Sequence, residues 1–140
     1  MKITGLNETI RELNRFKQQG VEAIKANIEA SGYIMQNDAM QRVPVDLGQL
    51  KNSIRIDFKD NGLTVVMVAT APYAAYQEFG TGGRVSIPKG MEELARQFKG
   101  RGLRNVNLAP QPFMFPAWDR ERKQFVIRLQ KELDRLANKV

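Results

Sequence analysis

Glu78 lies in the stretch PYAAYQEFGTGG, residues 72–83. Tyr73, Tyr76 and Phe79 stand beside it, and Gly80, Thr81, Gly82 and Gly83 follow. Residue types such as these could cradle a phosphate on backbone amides, move protons between a carboxylate and a phenol, or anchor a sheet at a turn. Phosphate cradling requires G-x-x-x-x-G-K-[ST] or G-x-G-x-x-G between a strand and a helix, and neither spacing is present. Acid–base chemistry recruits a second titratable group, or a nucleophile with its base. No second carboxylate clusters with Glu78, and the chain has no histidine. The segment therefore reads as a glycine-enabled turn. Tyr73 and Tyr76, three residues apart, share a face of a helical turn as aromatic anchors, and Glu78 caps or forms an ion pair.

A second aromatic group, Pro112-Phe113-Met114-Phe115-Pro116-Ala117-Trp118, precedes the last periodic segment. Aromatic platforms in basic grooves stack nucleic-acid bases. Aromatics flanked by prolines and followed by an apolar seam instead plug a core and orient the helix, and that reading is preferred here. Phe113 and Trp118 are its anchors.

Composition removes other chemistries. With Cys 0 and His 0 there are no thiol nucleophiles, disulfides, imidazole bases or ordinary zinc ligands. No cofactor or metal is expected. Hydrophobic residues at 42% and charged residues at 26% are those of a globular chain, and its length suits a single domain, 1–140. No stretch approaches the ~20 apolar residues of a membrane span. The start, MKITGLNETIREL, lacks the apolar run of a signal peptide, so the sequence reads as a soluble chain made in the cytoplasm, without a membrane partner.

The net charge of +7 is uneven. Between Arg84 and Arg104 six basic residues face only Glu92 and Glu93. Such an excess favours a polyanion or an acidic partner, or is simply a solvated basic loop.

These residues must be positioned by elements. Leu6, Ile10, Leu13, Phe16, Val21, Ile24, Ile28, Met35 and Ala39 form a near-helical stripe. Asn7 is the expected cap, with Glu8 and Glu12 in the first turn. Gly20 and Gly32 each weaken the helix by about 1 kcal/mol and mark sites for a bend or break. Val43, preceding Pro44, ends it. Asp46 and Gln49 have capping-box spacing, predicting helical turns over 47–52. The period then becomes two: Ile54, Ile56 and Phe58 alternate with Arg55, Asp57 and Lys59. Asp60-Asn61-Gly62 predicts a type I′ hairpin pairing Phe58 with Val65, Ile56 with Met67 and Ile54 with Ala69, all on one buried face. The other face is half apolar, and is either covered or used in a contact. Residues 84–108, with a short helix in MEELARQFK, read as a mobile arm that orders on assembly, because little apolar area offsets the ordering cost. Met91, Leu94 and Phe98 would dock on a neighbouring subunit, and Lys99, Arg101 and Arg104 would face an acidic partner or DNA. Val126, Leu129, Leu133, Leu136 and Val140 form the seam of a C-terminal helix, with Pro116 in its first turn.

Three segments in this order, VPVDLGQLKNSI, APYAAYQEFGTGG and APQPFMFPAW, resemble the gene-ten-like family of long-tailed bacteriophages and prophages, small head–tail joining or tail-completion proteins. The resemblance covers residues 7–140. The family pattern runs approximately P-V-D-T-G-x-L-x-x-S-I, Y-x-x-Y-x-E-x-G-T and P-x-P-F-x-x-P-A. Leu47 replaces a common Thr, and Phe115 stands where a basic residue is frequent, so no polar role carries over to either position. The resemblance implies an α+β fold: an antiparallel sheet with a long N-terminal and a C-terminal helix packed on it. It also implies a non-enzymatic virion protein, assembled in the host cytoplasm into a sixfold ring at the neck, contacting other neck and tail proteins, with DNA passing through the lumen. On this reading Tyr73, Tyr76, Glu78, Phe79, Gly80 and Thr81 are architecture bordering a subunit contact. The alternative from another class is a cytosolic nucleic-acid-binding module using residues 84–104. A hydrolase using Glu78 lacks a partner group.

Overall fold

Helix α1 (Leu6–Arg42) is a single unbroken rod of 37 residues, about 55 Å long at 1.5 Å per residue. The structure, a computed structural model, describes residues 6–96 and 107–139. Asn7 lies inside α1 and does not cap it. The helix also runs straight through Gly20 and Gly32. A Cβ on Gly20 would meet nothing within 4 Å, whereas one on Gly32 would sit 2.8 Å from Val65 Cγ2 and 3.2 Å from Phe58 Cζ. Gly32 marks where the sheet is pressed against the helix, a packing role that a propensity scale cannot reveal. Val43 and Pro44 end α1 as expected.

The chain turns through Leu47 N–H to Pro44 O (3.0 Å) into α2 (Gly48–Asn52), whose N-cap is Leu47, with no side-chain cap bond. The expected Asp46–Gln49 capping box is therefore out of frame by one residue. The turn begun at Pro44 makes the Leu47 carbonyl the first acceptor, taking the Lys51 N–H, and Asp46 is left exposed.

Strands β1 (Ile54–Lys59) and β2 (Thr64–Ala69) form an antiparallel hairpin with the expected register: Ile54↔Ala69, Ile56↔Met67 and Phe58↔Val65. The strands end at Lys59↔Thr64 and are joined by a four-residue loop, in which Asp60 (φ 53°), Asn61 (φ 56°, ψ 39°) and Gly62 (φ 84°) all have positive φ and Leu63 N–H donates to Asp60 O at 3.2 Å. Asn61-Gly62 have the I′ signs expected of them, but Asp60 belongs to the loop and does not close the hairpin as a strand residue. The apolar face meets α1, but burial fades along it. Ile54 is buried, while Phe58 near the tip is 39% exposed and touches Tyr33 at 6.0 Å between ring centroids. One helix is too narrow to cover both strands to their ends, so the face expected to be buried is only partly so.

Next come α3 (Ala74–Phe79), α4 (Glu92–Arg96) and α5 (Met114–Ala137). Helix α5 lies antiparallel along α1: Arg120 faces Asp38, Arg128 faces Ser31, and Leu136 neighbours Ala23. The resulting fold is α+β. Its core gathers where α1 ends, around Ala39, Val43, Leu50, Ile54, Ala71, Ala74, Phe113 and Ala117. The expected α5 seam holds in its later part, with Leu129 and Leu133 half-buried, and fails at its first position. Leu136 is buried, but Val126 is 62% exposed, and Val140 lies outside the described residues. Buried positions on α5 are Ala117, Glu121 and Leu136, so polar residues occupy part of a stripe that an apolar count cannot see.

Candidate functional site

Helix α3 is short, and both of its last polar side chains turn inward. Glu78 is 5% exposed. Its Oε2 accepts the N–H groups of Phe113 (2.8 Å) and Met114 (3.0 Å), and its Oε1 accepts that of Phe115 (2.8 Å). Phe113 is the N-cap of α5 and has no capping side chain of its own. The first turn of a helix leaves amides without carbonyl partners; here the next residue is Pro116, which has none to offer. One carboxylate thus satisfies every amide from the N-cap to Pro116, at the positive end of the helix dipole, where a negative charge is favoured. Gln77, also buried, grips the segment just before: Gln111 N–H donates to Gln77 O (2.8 Å), and Gln77 Nε2 donates to Gln111 Oε1 (2.6 Å).

The residues after Glu78 close the neck of the following loop. Gly80 has φ 77° and ψ −178°, a conformation costly for any residue with a Cβ. A Cβ there would also lie 2.8 Å from Leu108 O, 2.9 Å from Pro110 Cδ and 3.0 Å from Arg84 O. Thr81 N–H donates to Leu108 O (2.9 Å), and Leu108 N–H donates to Thr81 Oγ1 (2.9 Å). Ser86 N–H reaches Phe79 O (2.9 Å), and Gly83 N–H reaches Asn107 Oδ1 (3.0 Å). The turn is a clasp joining both ends of the loop to the start of α5.

The other sequence-predicted residues distribute around it. Tyr73 packs half-buried against the core, and Tyr76 is also half-buried. Phe79 and Phe113 are buried, the latter completely. Trp118 points the other way. It is 45% exposed, packs on Phe115 at 5.8 Å and lies beneath the Arg122 guanidinium at 5.0 Å. The aromatic group before α5 therefore divides between core and surface. Met91 is half-buried and Leu94 is 43% exposed; Phe98, Lys99, Arg101 and Arg104 lie outside the described residues.

Sequence reasoning missed the polar seam between α1 and α5. Glu121 (4% exposed) and Ser31 (5%) are buried, and Arg128 donates to both, to Ser31 Oγ at 2.7 Å. Its only signal was a pair of opposite charges seven residues apart in line with Ala117. On the exposed face of α5, Asp119 is held below the usual carboxylate range by hydrogen bonds from Lys123 and then Arg122. Farther along, α1 and α5 flank an open groove of about 570 Å³, including Arg15, Glu22, Glu132 and Arg135, with Glu132 held low by Arg135.

Chemically, the clasp offers little. Every described acceptor direction of Glu78 goes to backbone, and among the described residues no cluster of His, Cys, Asp and Glu could hold a metal ion. Nor, among them, is any helix long and apolar enough to cross a membrane.

No curated protein and no solved structure matches the chain significantly. A family described as "Bacteriophage HK97-gp10, putative tail-component" matches residues 7–80. That span contains α1, α2, the hairpin and α3 with Glu78 and Gly80, so it includes the acceptor half of the clasp but not the helix it caps. It is more than half of the chain, which therefore belongs to the HK97-gp10-like family of bacteriophage tail components.

Proposed function

We propose that this chain is a non-enzymatic structural protein of the virion's head–tail interface, assembled in the host cytoplasm into a ring of six subunits with DNA passing through the lumen. The observation that carries the non-enzymatic reading is the use made of Glu78. The one carboxylate set among aromatics and glycines is buried and engaged by three backbone amides, so it serves to cap α5. An assembling role is supported by surface. Ile10 (47%) and Leu13 (65%) near the start of α1, and Tyr33 (55%) and Ile34 (45%) near its end, are exposed among the described residues, apolar surface that contact with another molecule would take from water. In this reading the clasp from Tyr73 to Thr81, with Phe113 and Trp118, borders a subunit contact. Met91 and Leu94 dock on the neighbouring subunit together with Phe98, while Lys99, Arg101 and Arg104 face DNA or an acidic neck protein.

Native mass measurement and negative-stain imaging of the purified chain, alone and mixed with neck and tail proteins of the same phage, test this. Rings of one uniform mass are expected, persisting as salt rises. A chain that stays monomeric in every mixture, yet binds nucleic acid with an affinity falling steeply with salt, would replace this reading with the nucleic-acid-binding one.

A further inference from the structure

The two long helices are unequal: α1 has 37 residues and α5 has 24. With Arg120 facing Asp38 and Leu136 beside Ala23, α5 runs out while α1 continues toward its own start. Residues 7–15 of α1 are all exposed, Leu13 to 65% and Ile10 to 47%. Where this overhang begins, Thr9, Leu13 and Phe16 of α1 and Ala137 of α5 surround an open recess of about 270 Å³, with Glu12 on its wall. Ligand pockets run from roughly 300 to 1,000 Å³, so a recess of this size suits one large side chain. Among the described residues Glu12 makes no ion pair, and Arg15, one turn on, lines the larger groove instead.

The other end of the molecule carries a matching part. Trp118 is the one tryptophan of the chain, and it stands 45% exposed between Phe115 at 5.8 Å and the Arg122 guanidinium at 5.0 Å. Asp119 anchors Arg122 through bonds of 2.9 and 2.7 Å and also accepts from Lys123 Nζ at 2.8 Å. An indole fixed on both sides has given up its freedom before a partner arrives, which lowers the cost of binding. Trp and Arg are also the residue types that dominate interface energy. Two cations share one carboxylate here, a positive surplus that complements the unpaired Glu12 beside the recess.

We infer that Trp118 of one subunit seats in the recess of a second copy of this chain, its indole against Leu13 and Phe16, with Arg122 meeting Glu12. A subunit cannot fill its own recess. α1 is unbroken, and Leu13 lies about 38 Å along it from Asp38 at 1.5 Å per residue, whereas Asp38 faces Arg120, next to the tryptophan. Two recesses meeting about a two-fold axis would set cavity against cavity and leave both indoles in water. Knob and recess sit at different ends, so the contact is head-to-tail. Such a contact propagates, and it closes into a ring when the rotation per subunit allows. The inference deepens the ring reading above and rests on it.

The single tryptophan reports the contact directly. As wild-type rings form, its emission should shift to shorter wavelength and its quenching by acrylamide should fall. Leu13→Asp, at an exposed position, should leave subunit circular dichroism unchanged, abolish rings and hold the emission at its free-subunit value. Trp118→Ala should also abolish rings. Mixing these two variants restores one complete contact per pair, so native mass should show one-to-one heterodimers and no rings. Glu12→Arg should weaken assembly, and adding Arg122→Glu to the same chain should recover it. Rings that survive Leu13→Asp, a mixture that stays monomeric, or an unshifted emission within wild-type rings would overturn the inference and leave the ring reading standing. So would a shift produced only by another neck protein, which would give the recess to that partner. A wild-type chain that forms no ring in any mixture removes both.

Discussion

Glu78 and Gly80 lie two residues apart and serve the same joint by different physics. Glu78 neutralises amides; Gly80 leaves room for carbonyls. Replacing Glu78 with glutamine keeps the shape but turns one acceptor into a donor, so the amide group would confront at least one of the three N–H groups it must satisfy. A buried N–H left without a partner costs about 1–3 kcal/mol, and the lost charge at the helix start adds a few tenths to 1 kcal/mol. Glu78→Gln should lower the urea midpoint accordingly with an unchanged slope; an unchanged midpoint would mean that the clasp contributes nothing. Gly80→Ala should cost more than the roughly 1–3 kcal/mol of backbone strain, because its methyl also meets Leu108 O at 2.8 Å. Thermal unfolding would register the change. The turn around Gly80 was legible in the sequence, since glycine after an aromatic helix signals chain reversal. The donors to Glu78 were not: they lie 35 to 37 residues away, and backbone amides carry no sequence signature. Asp46 and Gln49 had the right spacing for a capping box, yet Pro44 set the turn one residue out of frame.

Among the elements, the hairpin was the most legible, because Asn61-Gly62 and the alternation of apolar residues determine one register together. The α1 stripe was legible in extent but not in continuity. Its two glycines have the same propensity and opposite surroundings. Gly20→Ala meets open space and should stabilise by about 0.5–1 kcal/mol. Gly32→Ala gains the same propensity but drives a methyl to 2.8 Å from Val65. Overpacking of that kind costs about 1–3 kcal/mol, so the net change should be a loss. Denaturation of the two variants side by side checks this, and equal shifts would show that the sheet yields freely. The α5 seam was misplaced at Val126 because Glu121 and Arg128, an ion pair shared with Ser31, take positions where periodicity counts only apolar residues.

For the whole molecule, α+β architecture followed from long helical stripes around one hairpin. What covers each surface did not, since exposed apolar residues on α1 look in sequence like core residues. Sequence gave the segment after Gly83 its basic composition. It did not show how firmly its ends are tied. Bonds from Thr81 to Leu108, Ser86 to Phe79 and Gly83 to Asn107 bring the two ends together whatever lies between them. Replacing residues 87–106 with a short Gly-Ser linker should therefore leave the subunit folded. Shortening the loop by two halvings recovers about 1.2 kcal/mol of closure entropy, which offsets lost burial at Ala95 (8% exposed). The melting temperature should move by only a few degrees, and on the reading proposed above the variant should no longer form rings. Unfolding of this variant would assign the segment to the core.

The capping of α5 has a consequence for the order of events as the chain leaves the ribosome. Most helices carry their own starting signal, but here Phe113 supplies no side-chain cap, and Pro116 merely lightens the need. The signal is Glu78, made well before the helix that reads it. Nucleation is the costly step of helix formation, so the last element waits on an earlier one already being in place: α3 must hold its carboxylate inward before the first turn of α5 can settle. A peptide of residues 110–140 alone should show a frayed beginning and little helix by circular dichroism. Inside the intact chain, release of the clasp and loss of the terminal helix should then coincide, as one cooperative transition.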